Sequence, residues 1–474
     1  MRNGRPNILI AVLDSTRPEL LSCYSGPPQT TPNIDRLAEQ AYVFETAISP
    51  SAHTWPVTAS VFTGMLPSKH GGHDEHFLLD SPYRTMAEIF SQAGYDTAAF
   101  VDESCVGPRT RLDRGFRVMS NLRRHQVTLR NQLLKMIGRA HRELTRAYQK
   151  TCETRVLIGE ALHWLRRRWD RCRPFLLYVH TDETHMPLLP PARFRRRFTR
   201  LNTRRMRAIN QDKELFVAGV ARMCDADFGN LHDLARAEAA FFDEWFGRLL
   251  RYLERERAMD DTVVVVMGDH GDNYGDHGLI RHGLCLYDTL LRVPLILRPP
   301  GARAGTRIRP MVQTIDLLPT LMDLASIAAP EVSAELQGSD LLEQVQTGRY
   351  TEFAISESYR PVTGGWERKV PHFMPEWRTK YDRVLRSYRT NTHKCIWSSN
   401  GRHELYDLVR DPCEERNLVD EEPQLARELH SRLQAWLASF PHAHAGAPVA
   451  YAAAEDERWL APAGRCARQP RSGS

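Results

Sequence analysis

Val263-Val264-Val265-Val266-Met267-Gly268-Asp269-His270 is a short aliphatic run that ends on a carboxylate and an imidazole. A second run, Ile8-Leu9-Ile10-Ala11-Val12-Leu13-Asp14, ends on a carboxylate near the start of the chain. Runs this short and this β-branched read as central strands of a parallel sheet, buried on both faces. In open α/β sheets, ligands gather at the carboxyl ends of such strands. Asp14 at one tip and Asp269-His270 at another are hard-oxygen and imidazole donors that suit one divalent cation. The two runs therefore predict a metal-dependent enzyme.

Working outward, Ala41-Tyr42-Val43-Phe44, Tyr95-Asp96-Thr97-Ala98-Ala99-Phe100-Val101 and Phe175-Leu176-Leu177-Tyr178-Val179 read as further strands. The last is followed by His180-Thr181-Asp182-Glu183-Thr184-His185. A helix opens at Thr31-Pro32-Asn33, where a polar cap precedes an early proline. A longer one is expected from about Leu231 to Glu256, with an apolar stripe through Ala239, Phe242, Phe246, Leu249, Leu250 and Leu253. Strands alternating with helices give an α/β fold, a large mostly parallel central sheet sandwiched by helices. The expected division is a catalytic α/β domain at 5–328 with a basic helical insertion at about 121–169, and an irregular linker at 329–380. A small C-terminal α+β subdomain follows at 381–440, and an Ala-, Pro- and Arg-rich tail at 443–474 is expected to be disordered.

The 474 residues, 42% of them hydrophobic, can bury one large core plus an appendage. Met1-Arg2-Asn3-Gly4-Arg5-Pro6 leads straight into the first strand, without the form of a signal peptide, and no apolar run is long enough to span a bilayer. A soluble, cytoplasmic protein is expected. The nine cysteines form no CxxC pair and read as free thiols. The net charge of +6 is local: residues 121–170 hold twelve Lys/Arg against four Asp/Glu, and arginines recur at 193, 195, 196, 197, 200, 204, 205 and 207. These stretches read either as a positive rim for an anionic substrate or as solvated helix faces. They lack the interleaved aromatics of single-strand readers, so no nucleic-acid partner is expected.

Several motifs occur together and in order. They are Pro6-Asn7-Ile8-Leu9 through Asp14, Thr31-Pro32-Asn33-Ile34-Asp35-Arg36-Leu37, Phe62-Thr63-Gly64-Met65-Leu66-Pro67-Ser68-Lys69-His70-Gly71, Gly268-Asp269-His270-Gly271, Arg292-Val293-Pro294-Leu295, and Glu404-Leu405-Tyr406-Asp407 with Asp411-Pro412. With them the chain resembles the sulfatase family of the alkaline phosphatase superfamily. The resemblance implies an alkaline phosphatase-like sheet, a hydrolase acting on sulfate or phosphate esters, and one divalent cation. That cation would be Ca2+ or Mg2+ first, with Mn2+ or Zn2+ as alternatives, held by Asp14, Asp269, His270 and the nucleophile.

Two departures from the family pattern matter. Family members usually carry a second Asp after the first, and this chain has Ser15, which leaves room for a softer metal or a water. Where sulfatases carry Cys/Ser-x-Pro-x-Arg for conversion to formylglycine, this chain has Thr54-Trp55-Pro56-Val57-Thr58. Formylglycine is therefore not expected, and an unmodified, metal-activated Thr54 becomes the candidate nucleophile, with Thr58 and Ser60 as reserve hydroxyls. His185 falls where the family contacts the ester or protonates the leaving group. His282 falls where many sulfatases place a substrate-binding Lys. Asp182, His185 and His282 are a candidate second metal site, while His70, His73, His76 and His277 read as structural.

The expected function is thus a metal-dependent hydrolase cleaving a sulfate or phosphate ester by in-line attack of Thr54, with a phosphodiesterase or phosphonate monoester hydrolase on the same scaffold as the alternative. A transferase passing a phospho-group to another acceptor, and a non-catalytic anion-binding protein, are the further readings. Expected partners are a small anionic ester, or a sulfated or phosphorylated saccharide or lipid.

Overall fold

The computed structural model describes residues 4–79, 82–102, 106–122, 153–361 and 364–440. The strands in chain order are β1 (Asn7–Leu13), β2 (Tyr42–Ile48), β3 (Asp96–Val101), β4 (Val118–Asn121), β5 (Phe175–Thr181), β6 (Thr262–Gly268), β7 (Asn273–Tyr274), β8 (Ile280–Arg281), β9 (Arg292–Arg298), β10 (Thr306–Gln313), β11 (Ala354–Ser358), β12 (Leu385–Arg389), β13 (His393–Ser398) and β14 (Glu404–Asp407). Eight of them form one sheet in the order β10-β2-β9-β6-β1-β5-β3-β4. Every pairing in it is parallel except those of β9, which runs antiparallel to both β2 and β6.

β1, β5 and β6 are buried along their whole length and occupy the middle of this sheet. Their side chains alternate between two cores, as the two-residue period of a strand requires. Leu9, Ala11, Leu13, Val264 and Val266 enter one, with Trp164 and Leu165 of the helix Glu153–Arg167 and Phe242, Phe246 and Leu249 of the helix Asp225–Arg255. Ile8, Ile10, Val12, Val263, Val265 and Met267 enter the other, with Phe62 of the helix Thr54–Thr63, Phe90 of Met86–Gln92, and Leu317, Leu318 and Leu321 of Leu317–Leu324. Each buried Val, Leu, Ile or Phe stabilises the fold by about 1.5–3 kcal/mol. The strand tips therefore stand on strands buried along their whole length.

A second, antiparallel sheet has the order β11-β12-β13-β14. The helix Pro423–Leu437 packs on it through Ala426, Leu429, Leu433 and Leu437, against Ile355, Tyr388, Cys395 and Leu405. This corrects the reading of 329–380 as an irregular linker. That stretch holds β11, the edge strand of the second sheet, and helices at Leu341–Thr347 and Met374–Lys380. Trp366 and Trp377 from it are buried with Phe373 and Tyr381 in a core shared with Ile48, Leu286, Leu290 and Met311. The long helix also starts earlier than expected, at Asp225. The cysteines among the described residues are free. No described helix is long and apolar enough to cross a membrane. The expected tail lies outside the described residues, as does most of the basic insertion before Glu153.

Candidate active site

Register brings the tips together. Leu13 lies opposite Gly268 on β6 and opposite Thr181 on β5, so the next residues, Asp14, Asp269 and Asp182, leave three adjacent strands side by side. Ser15 takes a left-handed backbone (φ 57°), which aims its amide at Asp269 Oδ1, 2.9 Å away. Its hydroxyl donates to Asp14 Oδ1 at 2.8 Å. Where the family pattern has a second carboxylate, this chain has a donor that orients the first.

Asp14, Asp269 and His270 are buried, and a ligand atom from each lies within 4.8 Å of the others. His270 Nδ1 is 2.9 Å from the Gly271 carbonyl, so the ring donates there and turns the Nε2 lone pair to the cluster. Nε2 is 3.6 Å from Asp269 Oδ2 and 3.9 Å from Asp14 Oδ1. Asp269 Oδ2 is buried with no hydrogen-bond partner among the described residues. Two carboxylates and an imidazole with an orphaned oxygen between them fit a divalent cation, because a buried unpaired carboxylate oxygen is costly unless a cation meets it. We expect Asp269→Asn to weaken divalent-metal affinity by at least about 100-fold, read by metal titration of the dialysed protein.

Thr54 is the first residue of its helix, with His53 as the N-cap, so it is not itself a cap. Its Oγ1 stands 3.2 Å from His270 Nε2 and 3.5 Å from Asp14 Oδ2. The helix presents its positive end to that point, a favourable place for an anion. The reserve hydroxyls are less well placed. Ser60 is buried against His70 Nε2 at 2.9 Å, and His70 is pushed down to about 3, first by burial and then by His73.

His282 sits among three other imidazoles. Its ring centroid is 4.3 Å from that of His270, 5.1 Å from His185 and 5.6 Å from His53. Its Nδ1 is 2.6 Å from Asp272 Oδ1. Burial, and then the surrounding His270, His185, Lys213 and His53, hold it well below the usual histidine range. Burial also pushes Asp272 up to about 6, opposed by Arg281 and His270. Asp14, Asp269 and His270 are the one group of three potential ligands with donor atoms within 4.8 Å of one another among the described residues. His185 Nδ1 faces Asp182 Oδ1 at 3.7 Å and its Nε2 lies 3.2 Å from Arg281 Nη2, while His282 is engaged by Asp272 through Nδ1.

Sequence reading missed Asp272, Arg281, Lys213 and the His53–Asp74 pair, whose Nδ1–Oδ2 distance is 2.8 Å. Asp272 and Arg281 had a signal, since each stands beside a motif residue already singled out. Asp74 lies in a turn and Lys213 opens a short helix, and neither gave one. Lys213 Nζ donates to the His282 carbonyl at 3.0 Å, and with Arg281 it gives the pocket a cationic wall. His53 lies against Gly283, which has φ +91°, and a Cβ there would come within 2.0 Å of His53 Nε2. Gly283→Ala is expected to displace His53 and to destabilise the fold by about 1–2 kcal/mol, measured by urea denaturation.

A family model described as Sulfatase matches residues 6–327, and one described as N-sulphoglucosamine sulphohydrolase, C-terminal, matches 275–439. The sulfatase YidJ of Escherichia coli (strain K12) is 29% identical over 440 residues, covering 88% of this chain and 84% of that protein. The choline-sulfatase of Rhizobium meliloti (strain 1021) is 27% identical over 454 residues, covering 89% and 83%. Among solved structures, the phosphonate monoester hydrolase of Agrobacterium radiobacter superposes with a TM-score of 0.72 at 21% identity, covering 92% of this chain and 96% of that one. A protein solved with its substrate D-glucosamine-2-N,6-O-disulfate superposes at 0.68 and 20% identity, covering 92% and 98%. With the first model spanning most of the chain and its motifs meeting at one set of strand tips, this protein belongs to the sulfatase family of ester hydrolases.

Proposed function

We propose that this chain is a metal-dependent hydrolase in which Thr54 Oγ1 attacks the central atom of an anionic ester, with phosphoryl esters preferred over sulfuryl esters. The observation that carries the reading is the position of Thr54, an unmodifiable alcohol 3.2 Å from His270 Nε2 at the helix end that faces Asp14. Asp14, Asp269 and His270 would hold the cation, with Thr54 beside them. When bound, the cation lowers the pKa of the threonine hydroxyl and offsets charge on the transferring group. The imidazole ligand and the missing second Asp suit Mn2+ or Zn2+ better than Ca2+.

In this reading Thr54 Oγ1 loses its proton to solvent and forms a bond to phosphorus as the bond to the leaving oxygen breaks in line. Arg281 and Lys213 offer donors and positive charge to the ester oxygens, and His185 and His282 line the side from which the leaving group departs. Water then attacks the phosphothreonine and returns Thr54. A hydrated formylglycine expels sulfate by collapsing to the aldehyde, and threonine has no second hydroxyl for that route. Release must come from attack at the central atom, which favours phosphorus. Sulfate ester hydrolysis is the second reading, supported by the sulfatase names of the curated relatives.

A panel of aryl sulfate, aryl phosphate, aryl phosphodiester and phosphonate ester substrates, run with Mn2+, Zn2+, Mg2+ and Ca2+, tests this. Turnover of the diester or phosphonate with a phosphorylated Thr54 peptide in rapid-quench mass spectra is expected. Sulfate turnover alone would overturn the preference, and product formed only with an added alcohol acceptor would make the protein a transferase. Metal binding with no turnover would leave an anion-binding protein.

A further inference from the structure

After His185 the chain leaves the active site, and it returns at Lys213, whose Nζ reaches the His282 carbonyl. The Leu188 amide donates to the Gln211 side chain and closes the base of this excursion. Residues 186–211 between them hold eight arginines and no Asp or Glu. Two short helices, Ala192–Phe198 and Thr203–Ala208, carry most of these. Phe194 is buried against Ala237, Ala240 and Phe241 of the long helix, with Phe198 packed beside it, which leaves most of the intervening arginines to solvent.

Three of the eight are engaged. Arg193 pairs with Glu244 at 2.6 Å, Arg197 donates to the Gln29 carbonyl at 2.6 Å, and Arg195 is buried with a bond to Thr203. Arg196, Arg200, Arg204, Arg205 and Arg207 are exposed and have no carboxylate partner among the described residues. Five like charges on one short excursion repel one another, and an anion lying against them would relieve that repulsion.

We propose that this excursion is an exosite for a linear anionic polysaccharide: one ester of the chain enters the site at Thr54 while neighbouring sulfate or phosphate groups lie along the five arginines. The first half rests on the hydrolase reading above, and the second on the surface alone. None of the exposed large hydrophobic residues lies in 186–211, so the excursion has nothing to insert into a bilayer. Its two aromatics are packed on the long helix, so it offers no stacking platform for bases.

Binding of the full-length protein to size-fractionated heparin oligosaccharides tests this, beside duplex DNA and phosphatidylserine vesicles at matched salt. Affinity is expected to rise with oligosaccharide length and fall with salt. The variant Arg196→Ser/Arg200→Ser/Arg204→Ser/Arg205→Ser/Arg207→Ser should lose about ten-fold or more on the longest fragment while its turnover of a small aryl ester is unchanged. Arg196→Glu/Arg200→Glu, with the wild-type circular dichroism spectrum, should weaken the same fragment too. Length-independent binding, wild-type affinity in both variants, or tighter binding of DNA or vesicles would overturn the proposal. If the wild type turns over no ester yet shows the length-dependent, arginine-dependent binding, the hydrolase reading fails and the exosite stands.

Discussion

Thr54→Ala is expected to lower kcat for the preferred ester by at least about 10³-fold, with metal content and fold retained. The size follows from the site. The other hydroxyls once in contention are Ser60, held against His70, and Thr58, one turn further into a helix that is buried along its length. Neither shares Thr54's contacts with both His270 and Asp14. Two carboxylates and an imidazole remain in the variant, so the cation should still bind, and elemental analysis separates a lost nucleophile from a lost metal. Thr54→Ser keeps the alcohol without the methyl group and should retain part of the rate, with the phosphoryl group now trapped on serine. Removing one methyl and one hydroxyl at a helix start changes stability by about 1 kcal/mol or less, so the loss would not reflect unfolding. Turnover by Thr54→Ala within ten-fold of wild type would mean that the attacking atom is not on this side chain.

The parts of the fold legible in the sequence were those written in local periodicity. β1 and β6 are continuous apolar runs ending on the candidate metal ligands, and their parallel pairing puts Asp14 beside Asp269, as a sheet of that kind requires. Strand direction was not legible. Arg292-Val293-Pro294-Leu295-Ile296-Leu297 reads the same whether β9 runs up or down, and it runs against its neighbours. β11 was missed because five residues of mixed polarity, Ala354–Ser358, look like loop until β12 supplies a partner. The site divides the same way. Residues within motifs were found, whereas His53 and Asp74 meet across 21 positions that hold the helix Thr54–Thr63 and a short one at Pro67–His70, which no spacing rule encodes. Proximity in sequence also does not fix where ring nitrogens point: His185 turns Nδ1 to Asp182 and Nε2 to Arg281, and His282 turns Nδ1 to Asp272.

Lys394→Met is expected to destabilise the protein by about 3–5 kcal/mol near pH 8, an effect much larger than that of a surface ion pair. Lys394 is fully buried where the second sheet meets the main domain. Its Nζ lies 2.6 Å from Glu414 Oε1 and 2.7 Å from Asp288 Oδ1, and donates to the Leu286 carbonyl at 3.0 Å. Burial pushes the Asp288 carboxyl up, but Lys394 and Arg389 outweigh it and hold the group well below the usual carboxylate range. Against its burial and the nearby Asp288 carboxylate, Glu414 has Lys394 and the Asp288 backbone N–H, which donates to Oε2 at 2.6 Å, and it is pushed up to about 7. Methionine fills most of the lysine's volume, so the cost is electrostatic: Asp288 keeps Arg389, while Glu414 faces Asp288 without a cation. Without Lys394 the folded-state pKa of Glu414 rises further above its unfolded value. The stability it contributes is then present below the unfolded pKa and is lost as pH rises through the folded one. The deficit of Lys394→Met measured by urea denaturation should therefore be smaller at about pH 5.5 than at about pH 8. Adding Glu414→Gln should recover part of it at the higher pH and little at the lower. A deficit that is equal at both pH values and unaffected by Glu414→Gln would show that lost packing, not the stranded carboxylate, sets the cost.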